Sequence, residues 1–157
     1  MRKLITITTI LLVSVIIMSG CKKSSSSSNS SSGSYYMKAS IGTYSFDAEG
    51  ASKAYSGGSS SGGTDYIYIY GKVNDGKTIK ITLMTATGVP LTTGTLPIAS
   101  GNAAAYYYPY GYDSTYTYAL SGSVILTAIS PNYVGTINFT CADSTQVTNG
   151  SFSIKVL

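Results

Sequence analysis

Two segments, YIYIYGKV at residues 66–73 and TIKITLMT at 78–85, alternate side chains with a period of two. That period belongs to the pleated strand, whose successive side chains leave opposite faces, and it fits no helix. The intervening Asn74-Asp75-Gly76-Lys77 is a hairpin connection, and its Asp-Gly pair predicts a tight type I′ turn. On the first strand Ile67, Ile69 and Val73 oppose Tyr66, Tyr68 and Tyr70; on the second Ile79, Ile81 and Leu83 oppose Lys80 and Thr82. The aliphatic faces must meet the core, so the three tyrosines are expected on the outside of the sheet.

The same alternation recurs along the chain. Residues 37–41 and 44–48 read as strands joined by a tight turn at Gly42-Thr43, and 49–65, EGASKAYSGGSSSGGTD, as a mobile Gly/Ser surface loop. A turn-rich stretch at 88–101 leads to strands at 103–108 and 115–120, interrupted by Pro109 and Gly111. Further strands are expected at 124–128, 134–141 and 152–156, with turns at Ser130-Pro131-Asn132 and Asn149-Gly150. No stretch sustains a helical period. Eight or nine short strands in this span predict an all-β, antiparallel β-sandwich, with a closed β-barrel as the alternative.

The chain begins with a different signal. Arg2 and Lys3 precede an apolar run at 4–18, then Ser19, Gly20 and Cys21, the order of a secretory signal peptide. Met18-Ser19-Gly20-Cys21 resembles the bacterial lipobox, with Met where Leu is usual, and the resemblance implies that Cys21 is lipidated and becomes the new N-terminus. Acyl chains contribute about 0.8 kcal/mol per buried CH₂, so several make a durable anchor. Residues 22–34, KKSSSSSNSSSGS, hold no apolar side chain and read as a flexible linker with a reach of roughly 20 Å. The expected organisation is therefore a lipoprotein signal peptide at 1–20, lipidated Cys21 and linker at 21–34, and one β-sandwich domain at 35–157. The partner implied at this end is a membrane, and the address the bacterial cell envelope, on the outer membrane.

Charge and composition narrow the function. Four of the ten basic residues stand at positions 2, 3, 22 and 23, leaving six lysines against six carboxylates in the domain. A neutral domain lacks the electrostatic footprint of a nucleic-acid binder. The chain has no histidine, which removes Ser-His-Asp and Cys-His catalysis and the usual zinc sites. Glu49 is the only glutamate; with Asp47 it could form a carboxylate pair, but carboxylates at a strand end are explained more simply by solvation. The reading is not an enzyme, with no cofactor and no metal. Cys141 remains as a single thiol on the face of Ile137 and Phe139, where it is expected to be buried in the core.

The segment AYYYPYGYDSTYTY, residues 105–118, holds seven tyrosines in fourteen positions. A hairpin centred near Tyr112 sets Tyr106 opposite Tyr118 and Tyr108 opposite Tyr116, a cross-strand aromatic ladder that stabilises a sheet by roughly 0.2–1 kcal/mol per pair. Together with Tyr66, Tyr68 and Tyr70 these four form a candidate binding face for sugar rings or a partner protein. Asp113-Ser114-Thr115 and Asp143-Ser144-Thr145 resemble the acceptor triplet for O-glycosylation of exported Bacteroidota proteins, which makes Ser114 and Ser144 candidate sites.

The order MKASIGTYSF, IYIYGKVNDGKTIKITL, GTLPI, GSVILTAI, VGTINFT and VTNGSFSI resembles a family of small Bacteroidota lipoproteins of unknown function. The resemblance implies a compact antiparallel β-domain behind a lipobox, and it carries no catalytic residues. The expected function is therefore a structural or protein-interaction lipoprotein of the envelope, and the alternative is a glycan-binding accessory lipoprotein that uses the tyrosine face.

Overall fold

A computed structural model describes residues 35–112 and 115–156 of the chain. The expected signal peptide, Cys21, the serine-rich residues 22–34 and Ser114 lie outside the described residues. The fold is all-β, and its ten strands are β1 (Tyr36–Ile41), β2 (Tyr44–Glu49), β3 (Ala54–Ser61), β4 (Thr64–Lys72), β5 (Thr78–Ala86), β6 (Gly94–Pro97), β7 (Ala103–Tyr108), β8 (Thr117–Ala128), β9 (Asn132–Cys141) and β10 (Gln146–Lys155). They form one antiparallel sheet in the order β2-β1-β10-β9-β8-β7-β5-β4-β3, with β6 paired to β8 off that path. The sheet curls into two leaves, β2-β1-β10-β9 and β7-β5-β4-β3, that meet along β8. The antiparallel β-domain expected from the alternation is thus present as a single curled sheet.

The inner faces carry the residues that the period-two pattern selects. Ile79, Ile81 and Leu83 of β5, Ile137, Phe139 and Cys141 of β9, and Phe152 and Ile154 of β10 are all buried in one continuous core. Where the leaves meet on β4 against β1 and β2, the chain has Gly71. A Cβ there would lie 2.8 Å from Met37 Cβ and 3.0 Å from Phe46 Cε1, so only glycine fits without displacement. Beside this contact the Ser56 hydroxyl of the neighbouring β3 donates to the Lys155 carbonyl of β10 at 2.6 Å.

Four local expectations are corrected. Residues 54–61, read as loop because Gly and Ser have little strand propensity, form β3: all eight residues pair with β4, and Ala54 and Ser56 are buried. Within the turn-rich stretch, residues 94–97 form β6 against Leu126 to Ser123 of β8. The two strands expected at 115–120 and 124–128 are one long strand, β8, which absorbs the break as irregular register against β9. Asn149-Gly150 is not a turn but a bulge inside β10, with Asn149 at φ 52° and the register shifting between Val147 and Gly150.

The Asp75-Gly76 connection is a hairpin, but not of type I′. Gly76 has φ 90°, whereas Asp75 is not in the left-handed region. Val73 N–H donates to the Lys77 carbonyl and Gly76 N–H to that of Val73, both at 3.0 Å, which makes a three-residue loop ending in a left-handed residue. The β9–β10 loop repeats it: Cys141 N–H donates to Thr145 at 2.8 Å, Ser144 N–H donates to Cys141 at 3.0 Å, and Ser144 takes φ 68°. In both loops an aspartate accepts from the residue two positions on, Asp75 from Lys77 N–H at 3.2 Å and Asp143 from Thr145 N–H at 2.9 Å. The Asp-Ser-Thr triplet at 143–145 therefore has a turn-forming role of its own.

A tyrosine face centred on Lys80

Antiparallel register turns separate strand alternations into rows that run across the sheet. On the second leaf Tyr55 faces Tyr70, Tyr70 faces Lys80, Lys80 faces Tyr106, and Tyr106 faces Tyr118. One row thus crosses five strands, four tyrosines about a single lysine, on the outer face of the leaf. Because Ile79 and Ile81 point into the core, Lys80 must point out, and the register delivers aromatic neighbours on both sides.

The rings pack on one another. Tyr55 stacks on Tyr70 at 4.9 Å between centroids, and Tyr66, Tyr68 and Tyr70 follow along β4 at 6.4 and 6.3 Å, close to the spacing of alternate strand residues. The Lys80 Nζ lies 4.6 Å from the Tyr68 centroid, 5.6 Å from Tyr106, 5.7 Å from Tyr70 and 5.8 Å from Tyr112. It donates one hydrogen bond, 3.4 Å long, to the Tyr112 hydroxyl. These distances fit cation–π contact with the ring quadrupoles.

All seven tyrosines of the expected face are brought together, but they play different parts. Tyr106 pairs with Tyr118 as the hairpin register requires. Tyr108 meets Tyr116 by ring contact at 5.4 Å, since strand pairing stops at Tyr107 and Thr117. Tyr116 and Tyr118 are each 52% exposed, whereas Tyr108 is 6% exposed beneath Tyr112 and Tyr116. Tyr108 supports the face and does not present a ring to solvent. Burial pushes its phenol up to about 12. Burial also raises Tyr70, while Tyr112 is held below its ordinary value by the Tyr70 hydroxyl and then by Lys80.

Three members of the site, Lys80, Tyr55 and Tyr112, are not evident from local patterning. Lys80 reads as an ordinary polar residue opposite Ile79 and Ile81, Tyr55 falls in a stretch resembling a loop, and Tyr112 marks a loop centre. Only the cross-strand register gathers them. Beside the row a cleft of about 280 Å³ is lined by Tyr106, Tyr116 and Tyr118 together with Ile98, Ala99 and Ala104.

The remaining candidate groups are occupied by other roles. Asp47 and Glu49 both bind Lys38, at 3.2 and 2.5 Å, on the exposed face of β1 and β2. Asp65 accepts from the Ser60 and Thr87 hydroxyls and from Gly88 N–H, tying the β3–β4 hairpin to the end of β5. Cys141 is 2% exposed, and burial pushes its thiol up to about 11. Ser144 is exposed in its turn. Among the described residues no three His, Cys, Asp or Glu side chains gather as a metal site would require. No protein-family model, curated protein or solved structure matches the chain.

Proposed function

We propose that this protein is a lipid-anchored, non-enzymatic binding protein of the bacterial cell envelope, held to the outer membrane through Cys21, with a tyrosine face that packs against the rings of a glycan. The observation that carries the glycan reading is the row Tyr55-Tyr70-Lys80-Tyr106-Tyr118 with its exposed outer rings. Sugar rings present apolar C–H faces edged by hydroxyls, and tyrosine meets both, with a flat ring for the face and a phenol for the edge. Tyr55 stacked on Tyr70 and Tyr106 edge-on to Tyr116 are held by ring contacts before a ligand arrives, which lowers the entropy cost of binding. The cleft beside Tyr106 supplies a concave end to an otherwise flat surface.

A glycan array probed with the full-length chain in detergent tests this reading; ligands should be retained by the wild type and lost by Tyr106→Ala with Tyr118→Ala while the domain stays folded. Retention of no glycan would remove it. The anchoring half is tested separately by Cys21→Ala, which should release the protein from membranes or leave its signal uncut. Unchanged fractionation and mass in that variant would overturn it.

The second reading, a structural or protein-interaction lipoprotein, is favoured by the β3 edge. Gly57 to Ser61 are uncharged and lack proline, so their outer backbone groups have none of the usual protection against strand addition. A pull-down from envelope extract, run beside the array, distinguishes a protein partner from a glycan.

A further inference from the structure

We infer that the tyrosine face selects a carboxylated glycan, a uronic-acid polysaccharide, with Lys80 as the residue that reads the carboxylate. This rests on the glycan reading above and adds the charge of the ligand.

The domain's outward lysines differ in how their charge is met. Lys38 is bound by Asp47 and Glu49, and Lys77 by Asp75. Among the described residues no carboxylate lies within ion-pair distance of Lys80. Its ammonium has three N–H donors and, among the described residues, spends one, over 3.4 Å, on Tyr112. The rings of Tyr68, Tyr70, Tyr106 and Tyr112 hold the cation in place without neutralising it. Asp65, on the same strand as Tyr66, is taken up by Ser60, Thr87 and Gly88.

The cleft and the cation share a wall. Tyr106 lines the cleft with Tyr116 and Tyr118, and its ring centroid is also 5.6 Å from Lys80 Nζ. Lys80 itself does not line the cleft, so its ammonium is within reach only of a substituent that extends past the Tyr106 ring from a sugar seated there. A carboxylate in that position gains a charge-assisted hydrogen bond in partly desolvated surroundings, where such bonds are strongest. A neutral hydroxymethyl group gains only an ordinary one. Lys80 offers a single positive charge, matched by the single negative charge of a uronate.

The test measures binding of the full-length chain, in detergent, to polygalacturonate, to its fully methyl-esterified form and to dextran sulfate. Polygalacturonate should bind, and esterification, which removes the charge and keeps the ring, should weaken binding about tenfold. Lys80→Gln should lose about the same factor on polygalacturonate and much less on the ester, while Lys80→Arg retains most of the affinity. Equal binding of acid and ester, both abolished by Tyr106→Ala, would overturn the carboxylate assignment and leave the glycan face standing. Binding of dextran sulfate alone would also overturn it. If neither polygalacturonate nor its ester binds and the array retains nothing, the glycan reading itself falls. Should Lys80→Gln fold poorly by circular dichroism, the acid against ester comparison on the wild type and on Lys80→Arg still decides.

Discussion

The two leaves bury the same kind of residue and present opposite surfaces. Across the first leaf, one outer row runs Asp47, Lys38, Ser151, Thr136, Ile125. Across the second, the comparable row runs Tyr55, Tyr70, Lys80, Tyr106, Tyr118. Each has one lysine. On the first leaf it is neutralised by carboxylates among small hydroxylated neighbours; on the second it is surrounded by rings. An antiparallel sheet needs only one apolar face to fold, so the other is free to vary. The first leaf uses that freedom for solvation, and the second concentrates aromatic area far beyond what solvation requires. The difference is the ground on which the second leaf is proposed as the binding surface.

The largest effect expected is at the support of that surface. Tyr108→Ala removes a buried ring from beneath Tyr112 and Tyr116 and should destabilise the domain by about 3 kcal/mol. Thr136→Ala, at an exposed outer position of the first leaf, should stay within about 0.5 kcal/mol. Comparable losses in denaturant melts at both positions would erase the contrast between the leaves. Next comes their shared inner contact: Gly71→Val drives a side chain into Met37 and Phe46 and should cost about 2 kcal/mol, again read by denaturation. An unchanged midpoint would mean that the leaves do not meet there.

The paired three-residue loops give a smaller and opposite pair of effects. Gly76→Val places a branched side chain at φ 90° and should cost about 1 kcal/mol in thermal melts. Ser144→Gly relieves a non-glycine residue at φ 68° and should stabilise by a few tenths of a kcal/mol, since glycine's extra freedom when unfolded offsets part of the gain. If both substitutions lowered the melting temperature, the two turns would not be equivalent.

The smallest effect concerns the two lysines. The hydrogen bond and charge of Lys38 hold the Glu49 carboxyl below its ordinary value near 4.5. Its folded value being depressed, the associated stability is present above that ordinary value and is lost as pH falls through the lowered one. Lys38→Met should return the Glu49 titration, followed by NMR, toward its ordinary position and remove this part of the acid dependence. Lys80→Met should leave Glu49 unmoved, because its surroundings are rings. A shift of Glu49 in Lys80→Met would show that the two rows are coupled.

The sequence by itself determined which residues point inward. Ile69, Ile79, Ile81, Leu83, Ile137, Phe139 and Cys141 are buried as their alternation requires, because the two-residue period is a local property of the extended chain. The same period put Tyr66, Tyr68 and Tyr70 outside, and the glycine after Asp75 identified a left-handed position, though a second turn of the same shape, without glycine, gave no comparable sign at Ser144. Tertiary structure decided the rest. Gly- and Ser-rich residues 54–61 became a strand because β4 offered a full set of backbone partners, and Asn149-Gly150 became a bulge because β9 continued alongside it. It also decided what surrounds Lys80. Neighbours across a sheet are set by register between segments far apart in the chain, so a lysine that looks ordinary between two isoleucines acquires Tyr68, Tyr70, Tyr106 and Tyr112 only when β4, β5 and β7 align and the segment carrying Tyr112 packs back over them.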